Sequence, residues 1–309
     1  MNEIWVSLHA FHQGDLDPLI AEAVLPAVRG LVEDGLAGSW FFLRYWEAGS
    51  HVRVRVSTTP EGRGAVESKL AVCLGSYLDA HPSGPWKDPE LYPGLAGKLA
   101  AYEGLDTCER ELRPVDTVAS IPYRPERDAY GDGSSLAAVE RHFCDSSRLA
   151  ATVIESRTSA SRRRGLALEN AMTMLAVVRP DLPEVAAEYA AGVDRTDGPP
   201  LRSAELHRAY LAQRDRLRAQ ISAAWSADDD SEWRRSIVRL TRELREIDLD
   251  VEPPRSPLAW QVSPTPIEGI LMRCTHLFNN RVGVSMADEM YVTYLMARAL
   301  AEFGGRRSR

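Results

Sequence analysis

Trp40-Phe41-Phe42-Leu43-Arg44-Tyr45-Trp46-Glu47-Ala48-Gly49-Ser50-His51-Val52-Arg53-Val54-Arg55-Val56 reads as two strands joined by a glycine-containing turn. In the second strand Val52, Val54 and Val56 share one face at the strand period of two, and His51, Arg53 and Arg55 share the other. A β-hairpin with one apolar and one cationic face is expected. The valine face needs a core. The cationic face has two readings. Arginines roughly 7 Å apart on a rigid sheet can grip a carboxylate or a peptide backbone; alternatively, the charges keep a solvent-facing strand from pairing with another chain. Upstream, Ile4, Val6 and Leu8 alternate with Trp5, Ser7 and His9, which predicts an opening strand able to lie beside the hairpin.

Around these strands the punctuation is helical. Asp17-Pro18 reads as a cap and first helical residue ahead of Leu19, Ile20, Ala23, Val24, Val28 and Leu31, with Pro26 expected to kink or interrupt the helix. Thr59-Pro60 repeats that signal before Val66, Leu70, Cys73, Leu74, Tyr77 and Leu78. Prolines 82, 85, 89 and 93, with Trp86 and Tyr92, predict an ordered loop from His81 to Gly97 that could wall a cleft. Val115 to Pro122 reads as a further strand, and Tyr123 to Gly133 as a turn-rich loop. A helix follows from Ser134 or Ser135, with Leu136, Val139 and Phe143 inward and Glu140 and Asp145 toward water or a cleft.

From Ser146 onward the apolar periods become helical. Arg162-Arg163-Arg164 fits either a solvated helix end or a contact for an acidic peptide. Ala167 to Val178 reads as an apolar helix stopped at Arg179-Pro180. Leu201 to Trp225 and Trp233 to Ile247 read as long helices with charged outer faces, and Pro253, Pro254 and Pro257 break the pattern. Thr265-Pro266-Ile267-Glu268 is a capping box. Ile267, Ile270, Leu271, Cys274 and Phe278 form the buried stripe of the helix it opens, and His276, three residues after Arg273 and four before Asn280, lies off that stripe, which suggests a polar cleft. Gly283 ends this helix. Ser285-Met286-Ala287-Asp288 then caps a last one through Tyr291, Tyr294, Leu295 and Leu300. The reading is an α+β single domain over residues 1–309, with an N-terminal, mainly antiparallel sheet flanked by helices and a mostly helical C-terminal half.

Composition excludes several function classes. The chain has 309 residues and a formal net charge of −7 with its cations dispersed, which argues against a nucleic-acid partner held by phosphate neutralisation. Cys73, Cys108, Cys144 and Cys274 stand far apart without a Cys-x-x-Cys pair, so buried, reduced thiols are expected rather than a zinc site or disulfide framework. The N-terminal residues lack a basic region followed by an apolar run, and no apolar run is long enough to span a bilayer. A cytoplasmic protein with no membrane partner is expected.

Three separated patterns carry a family likeness: the hairpin Phe-Phe-Leu-Arg-Tyr-Trp ending in His51-Val-Arg53-Val-Arg55, then Tyr123-x-x-Glu126-x-x-x-Tyr130-Gly131, and His276-x-x-x-Asn280-Arg281. With Glu140-x-x-Phe143-x-Asp145-Ser146, the chain resembles the thiopeptide-type bacteriocin biosynthesis family, whose members are similar to the glutamate-elimination domain of lantibiotic dehydratases. The likeness extends over nearly the whole chain in the right order. One branch comprises the pyridine synthases of thiopeptide antibiotics. The eliminating branch typically carries an arginine before a Tyr-Gly-Gly motif; here Ala129 stands before Tyr130, and Asp132 takes the second glycine. Loss of a carboxylate-binding cation fits the cyclising branch, which expels no glutamate.

The resemblance therefore implies a formal aza-Diels–Alder cyclisation of two dehydroalanines in a thiazole-containing precursor peptide, with loss of water and of the leader peptide. It implies no metal or redox cofactor. The catalytic candidates are His276, Tyr291, Ser285 and Glu126. His276 matches the family's functional histidine and would shuttle a proton or hydrogen-bond. Tyr291 either donates to the leaving group or packs the core, Ser285 either bonds the substrate or caps a helix, and Glu126 either acts on the substrate or braces a hairpin arginine. Arg53, Arg55, Arg44 and Arg281 are candidate grips for substrate or leader, and Trp40 and Trp46 are either thiazole-stacking surfaces or core residues. Three other functions stay open: a glutamate-elimination lyase forming dehydroalanine, a non-catalytic leader-binding scaffold, and an aminoacyl-transfer-RNA-dependent relative.

Overall fold

Alternating sequence builds the sheet. In the computed structural model, which describes residues 3–103, 105–193, 204–226, 230–252 and 265–304, strands β1 (Ile4–Phe11), β2 (Trp40–Tyr45), β3 (His51–Thr58) and β4 (Thr117–Ser120) lie in the order β2-β3-β1-β4. Every neighbouring pair is antiparallel, with Val54 opposite both Leu8 and Phe42, and Arg53 opposite both His9 and Leu43. The hairpin is thus the predicted one, with the opening strand beside it. Val6, Leu8, Ala10, Trp40, Phe42, Val52, Val54 and Val56 form the apolar face and are all buried. The opposite face is also covered: His51 is 1% exposed, His9 5% and Arg55 7%, so this is not a solvent-facing strand.

The helices are α1 (Leu16–Leu19), α2 (Leu25–Glu33), α3 (Arg63–Ala80), α4 (Tyr92–Glu103), α5 (Arg127–Tyr130), α6 (Ser134–Glu155), α7 (Ala160–Val178), α8 (Leu182–Val193), α9 (Ala204–Ala224), α10 (Glu232–Arg245), α11 (Pro266–Arg281) and α12 (Met286–Gly304). Helix α3 buries Val66, Leu70, Leu74 and Leu78, one residue per turn, and packs on β1, β3 and β4. The mixture of a small antiparallel sheet and many helices is the α+β class predicted. None of the described helices is long and apolar enough to cross a membrane.

Several local expectations are corrected. Asp15, not Asp17, caps α1: its side chain accepts the Asp17 N–H at 2.9 Å. Pro26 interrupts the helix as expected: a π-helical turn over Ile20–Val24 separates α1 from α2, and Pro26 lies in the first turn of α2, where its missing donor is tolerated. Thr59 accepts the Gly62 N–H at 3.2 Å, so Thr59-Pro60 forms the turn ahead of α3. The expected loop from His81 to Gly97 contains a 3-10 turn at Pro89–Leu91 and the start of α4, since proline is tolerated in a first helical turn. Helix α5 likewise interrupts the turn-rich stretch. Cys144 and Cys274 are buried, whereas Cys73 and Cys108 are half-buried; all four are free. Pro253, Pro254 and Pro257 lie outside the described residues.

Contacts divide the chain into two compact units. The sheet unit contains the chain up to Pro125, then Ser146–Arg157 and Arg281–Gly283. The helical unit contains Glu126–Asp145, Thr158–Asn280 and the chain from Val284 on, and in it α12 packs on α7, α8 and α9, and α10 packs on α7. The two returning segments of the sheet unit close the open edge of β2. Ser147 Oγ accepts the Phe42 N–H at 3.2 Å, while Arg281 Nε donates to Phe42 O at 2.9 Å and to Ser147 Oγ at 3.0 Å. An exposed strand edge is thereby capped by side chains.

Candidate functional site

In the sheet unit, the cationic face is a stacked and hydrogen-bonded array. The Arg53 guanidinium lies 3.5 Å from the Tyr45 ring centre, with Nε donating to His51 Nε2 at 3.1 Å and Nη2 to Glu47 Oε2 at 3.1 Å. His51 Nδ1 faces Gly49 O at 2.7 Å, so His51 donates at one nitrogen and accepts at the other, the pattern of a neutral ring. Burial pushes His51 down to about 3, with the Gly49 carbonyl opposing and Arg53, Arg55 and Arg113 adding to the fall. His9 stacks on it at 4.9 Å, and burial, reinforced by His51 and the same arginines, lowers His9 to about 2. Arg55 sits over the rings of Tyr123 at 4.5 Å and Phe41 at 5.2 Å.

The remaining sheet candidates separate by burial. Trp46 donates from Nε1 to Glu103 at 2.7 Å and stacks on Tyr45 at 5.5 Å. Trp40 is 7% exposed on the valine face, where it packs the core. Arg44 donates to Arg281 O at 2.9 Å and pairs with Asp17. Arg281 is 0% exposed, and its Nη1 donates to Ser146 Oγ at 3.2 Å in addition to the Nε bonds that cap β2.

In the helical unit, α11 and the start of α12 carry the other candidates. The capping box holds as read: the Thr265 N–H donates to Glu268 Oε2 at 2.7 Å and Thr265 Oγ1 accepts the Glu268 N–H at 3.3 Å. Three turns on, His276 Nδ1 lies 2.7 Å from Glu289 Oε2, and Asn279 Nδ2 donates to Glu289 Oε1 at 2.8 Å. Glu289 is buried and His276 half-buried. A carboxylate at Nδ1 holds the proton there and leaves Nε2 as the basic nitrogen. Ser285 Oγ donates to Asp288 Oδ2 at 2.8 Å and accepts the Asp288 N–H at 3.1 Å, the geometry of an N-cap. Tyr291 OH accepts from Gln213 Nε2 at 2.8 Å.

Glu126 braces a helix arginine rather than a hairpin one. Arg273 Nη2 donates to Glu126 Oε2 at 2.8 Å, and its Nε to Tyr130 OH at 3.1 Å. Burial opposes the Arg273 charge, but Tyr130 and Glu126 outweigh it and hold the guanidinium more basic than usual. Burial, followed by the nearby Glu126 charge, pushes the Tyr130 hydroxyl well above its ordinary range. Gly131 follows at φ +76°, where a side chain would be strained, and a Cβ there would come 3.3 Å from Ser135 Oγ.

His276, Ser285, Tyr291 and Glu126 therefore belong to the helical unit, and Arg53, Arg55, Arg44, Trp40, Trp46 and Arg281 to the sheet unit. Sequence reasoning placed Arg273 beside His276 but missed Asn279 and Glu289. The i, i+3 spacing of Arg273, His276 and Asn279 was the available signal, since it sets all three on one side of α11. Glu289 had none, because its partners belong to another helix.

Comparison with known proteins extends these observations. The sequence profile of the lantibiotic biosynthesis dehydratase C-term family matches residues 5–300. No curated protein matches the chain. Among solved structures the chain is similar to the pyridine synthase TbtD from thiomuracin biosynthesis, with 22% identity, a TM-score of 0.76, and coverage of 97% of this chain and 99% of that one. It is similar to TsrL at 18% identity and a TM-score of 0.64, covering 97% and 95%. The tRNA-dependent lantibiotic dehydratase MibB from Microbispora sp. 107891 shares 19% identity at a TM-score of 0.60, with 99% of this chain covered but 28% of that one. At these identities the likeness is one of fold. The profile match across residues 5–300 makes the chain a member of the lantibiotic biosynthesis dehydratase C-term family.

Proposed function

We propose that this protein is a thiopeptide pyridine synthase, acting on a thiazole- and dehydroalanine-containing precursor peptide that still bears its leader. The observation that carries this reading is the α11–α12 pair: a histidine whose tautomer is fixed by Glu289, with Ser285 and Tyr291 at the start of the adjoining helix. Fold similarity to a pyridine synthase over nearly the full length of both chains supports it. So does Ala129, in the position where the eliminating branch has a carboxylate-binding arginine.

In the proposed reaction one dehydroalanine amide tautomerises to an iminol, giving a four-atom azadiene. Two C–C bonds then form to the second dehydroalanine. Loss of the iminol oxygen as water and of the α-nitrogen as the leader carboxamide leaves a pyridine, with no net change in electrons. His276 would move the amide proton through Nε2, and the Tyr291 hydroxyl would donate to the oxygen or nitrogen that departs. Ser285 would hydrogen-bond the substrate from its capping position. Glu126 contributes by positioning Arg273. Holding two distant alkenes in register supplies up to about 7–11 kcal/mol of the barrier, so positioning is most of the task. Arg53 and Trp46, at the less buried end of the sheet array, are the proposed grips for the peptide, with Arg55 and Arg44 fixing their surroundings.

The test is incubation with a linear, leader-bearing, dehydroalanine- and thiazole-containing peptide. An intact leader carboxamide and a smaller ultraviolet-absorbing macrocycle are expected, their masses plus one water summing to that of the substrate. If that peptide returns unchanged while a glutamylated peptide loses glutamate, the chain is an eliminating lyase. Leader binding without turnover of either would make it a scaffold.

A further inference from the structure

We infer that the arginine-lined cavity at the start of α7 is a binding site for a carboxylate carried on a peptide. The cavity has a volume of about 270 Å³ and lies within the helical unit. Arg162, Arg164 and Arg216 line it together with Gln213, Gln220 and Tyr291, the proton donor proposed above, so the cavity adjoins that site; among the described residues that line it there is no carboxylate. Leu168 and Leu295 supply an apolar part of the wall, which suits an anion on an apolar stem better than a bare inorganic one.

Arg162 and Arg163 lie in the first turn of α7, which has no acidic residue, and Arg164 follows directly, although the positive end of a helix dipole disfavours cations there. Arg163 turns its Nε to Thr158 O at 2.8 Å, and Arg164 pairs with Asp288 at 3.0 Å. Arg162 and Arg216 make no ion pair among the described residues. A local rule broken in this way, in a concave and hydrogen-bond-rich place, is the pattern of a ligand site. A carboxylate there could accept charge-assisted hydrogen bonds from Arg162 and Arg216, which planar guanidinium groups offer in a fork.

That the occupant is a peptide rests on the cyclase reading; that it is anionic does not. The experiment uses a fluorescein-labelled octapeptide with three aspartates among leucines, its all-asparagine counterpart, and C-terminally amidated forms of each, with binding followed by anisotropy on the whole protein. The wild type should prefer aspartate or a free C-terminus by roughly fivefold at low salt, with the preference shrinking as ionic strength rises. Whichever of the two matters identifies the source of the carboxylate. The double variant Arg162→Gln/Arg216→Gln, checked for native circular dichroism, should lose that preference. No preference in the wild type, or an equal one in the variant, overturns the proposal. It is also overturned if the peptides bind alike and the variant instead loses affinity for a labelled transfer RNA. None of these readouts involves turnover, so a failed cyclisation assay leaves them interpretable.

Discussion

His276 gains its chemical definition from Glu289, a residue thirteen positions away on another helix. With Nδ1 tied to that carboxylate, only Nε2 is left to take a proton, so replacement of His276 by Phe should lower turnover at least tenfold while leader binding persists. That loss corresponds to about 1.4 kcal/mol of transition-state stabilisation. Single-turnover product formation beside leader anisotropy checks it, and undiminished turnover removes His276 from the site. Arg281 belongs to the same sequence motif but does a different job. Its buried guanidinium serves Phe42 O, Ser146 and Ser147, so Arg281→Met should cost about 2–4 kcal/mol of stability, because polar partners are left unsatisfied in the interior. Urea unfolding measures this, and a loss below about 1 kcal/mol would contradict a bracing role.

The face of β3 that carries His51, Arg53 and Arg55 looked in sequence like a charged surface, yet the strand is buried on both sides. Alternation of residue type specified which side chains share a face; it could not specify what covers that face. A pH dependence follows from the buried histidines. His9 and His51 have folded values near 2 and 3, below the ordinary value of about 6.5 that the unfolded chain retains. Acid therefore protonates the unfolded state first, so the stability they contribute is complete above about pH 6.5 and lost as pH falls toward the folded values. Each histidine should contribute a slope of up to about 1.4 kcal/mol per pH unit below its unfolded value. Urea midpoints between pH 6.5 and 5 should thus decline more steeply for the wild type than for His51→Gln; equal slopes would refute the neutral pair. On α11, the reciprocal Thr265–Glu268 bonds predict that Thr265→Ala costs about 1 kcal/mol, read in the same unfolding experiment.

At the scale of the whole molecule, neither unit is a continuous stretch of chain. The sheet unit needs Ser147 and Arg281 for the edge of β2, and Glu155, which binds Arg29 at 2.5 and 2.9 Å. A fragment ending at Pro125 should therefore lack a cooperative unfolding transition although it contains all four described strands; a sharp transition from residues 1–125 alone would show that the returning segments are dispensable. The same discontinuity explains what was legible beforehand. Strand alternation, the Thr265 capping box and the Ser285 cap rest on interactions within a few residues, so the sequence by itself determined the hairpin, its faces, the α+β class and the limits of the last two helices. Helix α8 and the start of α4 were hidden by prolines that occupy first turns, where proline is tolerated. Which arginine braces a strand, which histidine has a carboxylate behind it, and that the cationic face lies buried depend on partners on other elements, thirteen residues away for His276 and 239 for Arg281. Those were decided only by the tertiary structure, because long-range packing, not local propensity, fixes burial and hydrogen-bond partners.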